Sequence, residues 1–396
     1  MCNISCTVKG PHPEARGLTR SPPLVDISPV PRPVALLALC ALALACREAA
    51  EPRPALVVRA EPDWLALVPG DSLRLSPIVT DSQGATLTNP SVTWQSLNPA
   101  IATVTAQGVV RGVATGTATI RARSAGASGY AGVIVAPPVL VGAGDIGVCS
   151  LPGAEATAAI LDTTPGIVFT AGDNAYPDGT PANFTDCYAP SWGRHRLRTR
   201  PSPGNHDYRV RDGAGYHAYF GAQAGVEGSG YYSWDFAGWH IIALNSSIPM
   251  AAGSPQEQWL RSDLAGHPTR CTLAYWHHPR FSSGQHGSST APQPLWEALY
   301  DAGADVVIVG HDHTYERFAP QTPGGAADPA RGIRQFVVGT GGAAHYDLRA
   351  TLPNSEVRDN TSWGVLRLTL RPNGYDWKFV PVEGARFTDS GSGSCH

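Results

Sequence analysis

Five short polar motifs, each set where an apolar run ends, constrain this chain more than any other feature of it. They are Gly144-Asp145-Ile146-Gly147, Gly172-Asp173-Asn174-Ala175-Tyr176, Gly204-Asn205-His206-Asp207, Trp276-His277-His278-Pro279 and Gly310-His311-Asp312-His313. Val139 to Ala143, Ile167 to Thr170, Thr272 to Trp276 and Asp305 to Val309 read as buried strands. Ala154 to Leu161 and Leu295 to Ala302 read as helices between them. Strands alternating with helices build an α/β sheet, and such a sheet gathers its ligands in the crevice beyond the strand ends. The glycine before the Asp, Asn or His permits a tight turn that aims the side chain inward.

The residue types point to metal chemistry. Carboxylates, imidazoles and one amide oxygen suit iron, zinc or manganese. A shared carboxylate can bridge two cations, and two cations about 3.5–4 Å apart can clamp the attacking and leaving oxygens of a phosphoryl transfer. Cations also lower the pKa of bound water, so a hydroxide nucleophile forms near neutral pH.

In this order the five motifs resemble the calcineurin-like metallophosphoesterase superfamily, over about residues 139 to 385. Many of its members carry Asp-x-His in the first motif, whereas Gly147 stands at that position here. Tyr176 supplies the missing donor, and that exchange resembles the purple acid phosphatases, where a tyrosinate binds ferric iron. The run Gly310-His311-Asp312-His313-Thr314-Tyr315-Glu316-Arg317 resembles the same group. The resemblance implies a four-layer α/β/β/α metallophosphoesterase sandwich holding two metal ions, Fe(III) plus Fe, Zn or Mn. It assigns Asp145, Asp173, Tyr176 and His313 to the first metal, and Asp173, Asn205, His277 and His311 to the second. His206 would stabilise the transition state or protonate the leaving oxygen, Asp207 would orient it, and His286 is a second candidate acid. His278 is read as pointing away from the metals. The implied reaction is hydrolysis of a small phosphate ester, a monoester first. Diesters or nucleotides on the same scaffold are the alternative, and a surface-binding protein with an inert second domain is the alternative of another class.

Ahead of the motifs the pattern is all-β. Short alternating runs such as Ser91-Val92-Thr93-Trp94 and Ala118-Thr119-Ile120-Arg121-Ala122 are separated by Pro69-Gly70, Gln83-Gly84, Gln107-Gly108 and Thr115-Gly116. Residues 56–136 therefore read as a small β-sandwich anchored on Trp94, and they resemble the bacterial group 2 immunoglobulin-like domain. That resemblance implies contacts with a cell surface or other proteins, not chemistry. Ala136-Pro137-Pro138 marks the boundary, and residues 137–396 carry the motifs.

Residues 1–46 form an N-terminal extension, followed by a linker at 47–55. Val34 to Cys46 is too short an apolar run to span a bilayer and fits the core of a signal peptide. Its end, Ala43-Leu44-Ala45-Cys46, resembles a lipoprotein cleavage box, with Ala43 where Leu is usual. Export is expected, with a lipid tether through Cys46 or release into the periplasm or medium. Past Cys46 four cysteines remain, which in an exported chain suggests two disulfides. Spacing does not fix their pairing; Cys149 with Cys187 and Cys271 with Cys395 is preferred because the first two flank the first two motifs. Net charge is −3 and lysine occurs only at Lys9 and Lys378. With no cationic surplus to neutralise phosphates, no nucleic-acid partner is expected.

Overall fold

A computed structural model of the chain describes residues 56–396. The Val34 to Cys46 run and Cys46 itself lie outside the described residues. Among the described residues no helix is long and apolar enough to cross a membrane.

Strands from Val57 to Val135 build the first domain. One sheet orders Trp64–Leu67, Ala127–Val135, Gly116–Ser124 and Thr93–Ser96. A second orders Ser72–Arg74, Val109–Gly112 and Ala102–Val104. Burial alternates along Gly116–Ser124, as it must where one face of a strand packs and the other meets solvent. Val110 and Ile120, both fully buried, hold the centre of this core. Trp94, expected as the anchor, is instead half-buried and packs against the core from its side.

Two larger sheets follow. The first orders Thr199–Ser202, Ile167–Ala171, Val139–Ala143, Gly364–Arg371, Gly374–Pro381 and Ser390–Ser394. Its first three strands run parallel, with Leu140 opposite Ile167 and Val168 opposite Thr199. The second sheet has seven strands, among which Trp239–Ala243, Cys271–Tyr275, Val306–Val309 and Arg334–Val338 run parallel. Period-two alternation in this sheet feeds two cores. Ile241, Leu273, Ile308 and Phe336 face the layer shared with the first sheet. Ile242, Ala274, Val307 and Val337 face the helices Pro255–Gly266 and Gln293–Asp301. Helix Gly153–Thr163 covers the outer face of the first sheet through Ala154, Ala158 and Leu161. Each fully buried Leu, Ile, Val or Phe among these contributes roughly 1.5–3 kcal/mol to the frame that carries the motifs.

Helix Pro255–Gly266 starts as its sequence dictates, with the Ser254 hydroxyl accepting from Glu257 N at 3.3 Å. The Glu257 carboxylate accepts from Gly253 N at 3.0 Å, one residue before the cap. Both preferred disulfides form, with Cα separations of 4.5 Å for Cys149–Cys187 and 5.3 Å for Cys271–Cys395.

Candidate metal centre

The parallel strands of both sheets end at one edge, and the five motifs begin there. Ala143 leads into Asp145, Ala171 into Asp173, Ser202 into Asn205, Tyr275 into His277, and Val309 into His311. Asp145, Asp173 and His311 take left-handed backbone, with φ of 61°, 51° and 72°. Among the motif glycines, only Gly172 is itself left-handed. The others are required for space: a Cβ on Gly204 would lie 2.1 Å from Asp173 Oδ1, and one on Gly310 would lie 2.6 Å from Asp145 Oδ2. The turn therefore sits on the polar residue itself, and the glycine admits its neighbour's side chain.

All seven candidate ligands converge. The Tyr176 hydroxyl donates to Asp145 Oδ1 at 2.9 Å and Asp173 Oδ2 at 3.1 Å, and lies 3.3 Å from His313 Nε2. His313 Nε2 is 3.3 Å from Asp145 Oδ1. His277 Nε2 is 3.2 Å from Asp173 Oδ2 and 3.1 Å from Asn205 Oδ1. His311 Nδ1 approaches the same His277 nitrogen at 3.2 Å. Asp173 thus lies between two groups of donors, one with Tyr176 and one with His277.

The donor set fits metal ions. His277 Nδ1 faces Ala171 O at 2.9 Å and His313 Nδ1 faces Ala344 O at 2.6 Å. A ring nitrogen against a carbonyl carries a proton, so Nε2 is the atom each ring turns to the cluster. Burial opposes charge on His277, but Asp173 and Asp145 outweigh it and push the metal-free ring up to about 9. A cation would displace the Nε2 proton on binding. Asp173 is buried, yet His277 and His206 hold it well below the usual carboxylate range. Burial, with His277 next, lowers His311 and keeps it neutral and competent as a ligand. Tyr176 is raised far above its ordinary value by burial, Asp145 and Asp173, so only a strong cation among these donors would draw off its proton.

His206 borders the cluster. Its Nδ1 is 2.5 Å from Pro177 O, and its Nε2 is 3.9 Å from Asp173 Oδ2. The orienting contact expected from Asp207 is not formed. Asp207 is fully buried and accepts from Gly204 N at 2.9 Å, Asn174 N at 3.0 Å and Asn174 Nδ2 at 2.9 Å. It ties the second motif to the third, and the Pro177 carbonyl orients His206. His286 stacks on His311, ring centroids 4.3 Å apart, so it does border the centre. His278 lies closer than its reading implied: its ring is 4.4 Å from that of His311, with Nδ1 on Ser246 Oγ at 2.8 Å. Tyr346 was not singled out by sequence; its ring stacks on His313 at 3.8 Å. Asp312 was not singled out either, and it accepts from His286 N at 2.8 Å and Gly287 N at 3.2 Å, fixing the His286 loop.

Residues 57–131 match the bacterial Ig-like domain (group 2), and residues 141–315 match the calcineurin-like phosphoesterase family. The chain therefore carries one domain of each kind. Within that class it is similar to purple acid phosphatase 21 of Arabidopsis thaliana, 35% identical over 149 residues, which are 35% of this chain and 34% of that one. Purple acid phosphatase 22 of the same plant is 35% identical over 118 residues, 28% of this chain and 27% of the relative. The chain thus spans about a third of the length of these curated relatives. Its fold is shared with a purple acid phosphatase from yellow lupin (Lupinus luteus) seeds, at a TM-score of 0.59, 15% identity, and coverage of 86% of this chain and 70% of that one.

Proposed function

We propose that the chain is a dinuclear-metal phosphoesterase that hydrolyses small phosphate monoesters. One observation carries this: seven donor side chains from five strand-end loops meet around Asp173, whose Oδ2 is 3.1 Å from the Tyr176 hydroxyl and 3.2 Å from His277 Nε2. Asp145, Asp173, Tyr176 and His313 would hold one ion, and Asp173, Asn205, His277 and His311 the other. Loaded, the centre supplies Lewis acidity toward phosphoryl oxygens and a lowered pKa for water. Tyr176 favours Fe(III) in the first position, with Fe, Zn or Mn in the second.

The protein's own groups do the rest. His206, held by Pro177 O, keeps Nε2 toward the centre, where it hydrogen-bonds the phosphoryl group or gives a proton to the leaving oxygen. His286, stacked on His311, is the second candidate donor. Asp145 Oδ2 accepts from His311 N at 2.8 Å, so the first and last motifs are positioned by one carboxylate. The reading extends to an exported protein, supported by two disulfides and by the apolar run ending at Cys46.

Elemental analysis of purified protein, with turnover of p-nitrophenyl phosphate and of its bis ester, tests this. Two ions per chain and preference for the monoester are expected, and Asp173→Ala should lose metal and turnover together. Tyr176→Phe should abolish visible absorption by the oxidised protein. An Asp173→Ala protein with full metal and full turnover would refute the proposal.

A further inference from the structure

Between the two domains lies a cavity of about 350 Å³. That is within the range of small-ligand sites, roughly 300–1,000 Å³. It is lined by Asp63, Asn98, Thr117 and Thr119 from the first domain and by Arg200 and Gln223 from the second. Arg200 is only 2% exposed, and among the described residues it forms no salt bridge. Its Nη1 donates to Thr199 O at 2.9 Å, and its Nε has no hydrogen-bond partner. The guanidinium carbon sits 3.3 Å from the centre of the Trp64 ring, which in turn packs on Trp234 with centroids 5.5 Å apart. Burial presses Arg200 down to about 10 although Tyr232, Tyr275 and Asp63 oppose it, so the charge is only partly compensated where it stands.

A buried cation whose carboxylate neighbour, Asp63, forms no ion pair with it is costly, and an aromatic face offsets only part of that cost. The polar rim says more about what would complete it. Gln223 Nε2 is committed to Arg196 O at 2.9 Å and Thr199 O at 3.0 Å, while its Oε1 accepts no hydrogen bond among the described residues. Asp63 on the rim could accept from a ligand's hydroxyls and would disfavour a second negative charge on it. We propose that this interdomain cavity binds a hydroxyl-rich monoanion of the uronic-acid class, its carboxylate against Arg200 and its hydroxyls on the Asn98, Thr117, Thr119 and Asp63 rim. The site lies apart from the metal centre and uses none of its ligands.

Calorimetric titration of the full, metal-loaded chain with sodium glucuronate tests this, with glucose as the uncharged control. Arg200→Gln removes the charge. Thr117→Trp, at an exposed rim position, fills the cavity without touching the core, so it stands even where Arg200→Gln fails to fold. Saturable glucuronate binding, at least tenfold weaker for glucose and at least tenfold weaker in each folded variant, is the expected result. Phosphate-ester turnover of Thr117→Trp stays at the parent level. No saturable heat, equal binding of glucose and glucuronate, or unchanged affinity in Thr117→Trp would overturn the proposal.

Discussion

Asp207→Ala separates two roles for a residue that lies beside the candidate catalytic histidine. The structure makes Asp207 a tie between loops. Removing its carboxylate leaves the backbone N–H groups of Asn174, Ala175 and Gly204 without acceptors, while Asn174 Nδ2 keeps Ser202 O at 2.9 Å. Each buried donor left unmade costs about 1–3 kcal/mol. Three such donors cost about 3–9 kcal/mol gross, and water entering the vacated space recovers part of it. A net destabilisation of about 3–5 kcal/mol follows, together with loss of metal, because Asn205 sits on the loop that Asp207 anchors. Urea unfolding and elemental analysis read both effects. His206→Ala is the control. His206 is half-buried at the edge of the cluster, so this change should cost turnover by orders of magnitude and stability by less than about 1 kcal/mol. An Asp207→Ala protein of parent stability and metal content, whose pH–rate profile shifts as that of His206→Ala does, would mean that Asp207 orients His206 after all.

Three further outcomes follow from geometry. Replacing Cys271 and Cys395 by Ser opens a loop of 124 residues, and the chain-entropy account puts the loss at about 5 kcal/mol, read from the denaturant midpoint. An unchanged midpoint would refute it. His240, fully buried between Asp235 and Asp263, is held at about 9, because those carboxylates outweigh the burial that opposes its charge. Its contribution is complete below the unfolded value near 6.5 and is lost as pH rises through about 9, so stability should fall over that window and fall less in His240→Gln. Gly204→Ala places a Cβ 2.1 Å from Asp173 Oδ1 and 2.3 Å from Asp173 N, so metal content should drop while circular dichroism stays unchanged.

The strands were legible where apolar runs are long enough to bury both faces, as in Val139–Ala143 and Cys271–Tyr275, each buried throughout. Thr199–Ser202 was not legible. Its sequence, Thr-Arg-Pro-Ser, has neither alternation nor an apolar run, yet all four residues are buried. It is the edge strand of its sheet, where Pro201 needs no second ladder partner. The convergence of the candidate ligands could be anticipated because metal chemistry restricts residue types at strand ends. The partner of Asp207 could not, because a carboxylate bonded to backbone N–H groups of a loop 33 residues away leaves no spacing signature. Tyr346 escaped for a related reason: its place on His313 depends on how the chain after Gly342 returns to the strand ends.

The backbone supplies an argument that residue types do not. Eight non-glycine residues among those described have left-handed φ, and three of them are Asp145, Asp173 and His311. Such backbone costs of order 1–3 kcal/mol per residue and persists only where the surroundings over-determine it. Asn and Asp visit this region more readily than other non-glycine residues, as Asn89 and Asn354 do here. The two site aspartates differ: Asp145 is fully buried and Asp173 is 2% exposed. Their carboxylates are directed at the other donors, and His311 N is satisfied by Asp145 Oδ2 at 2.8 Å. A fold that only needed turns at these strand ends would place glycine at the strained position. Here glycine precedes the strained residue in each case, itself left-handed only at Gly172, and the strained residue keeps a donor side chain. That arrangement costs stability, and bonds such as His311 N to Asp145 Oδ2 and His206 N to Asp173 Oδ1, each 2.8 Å, offset part of the cost; cations held as proposed above would offset more of it.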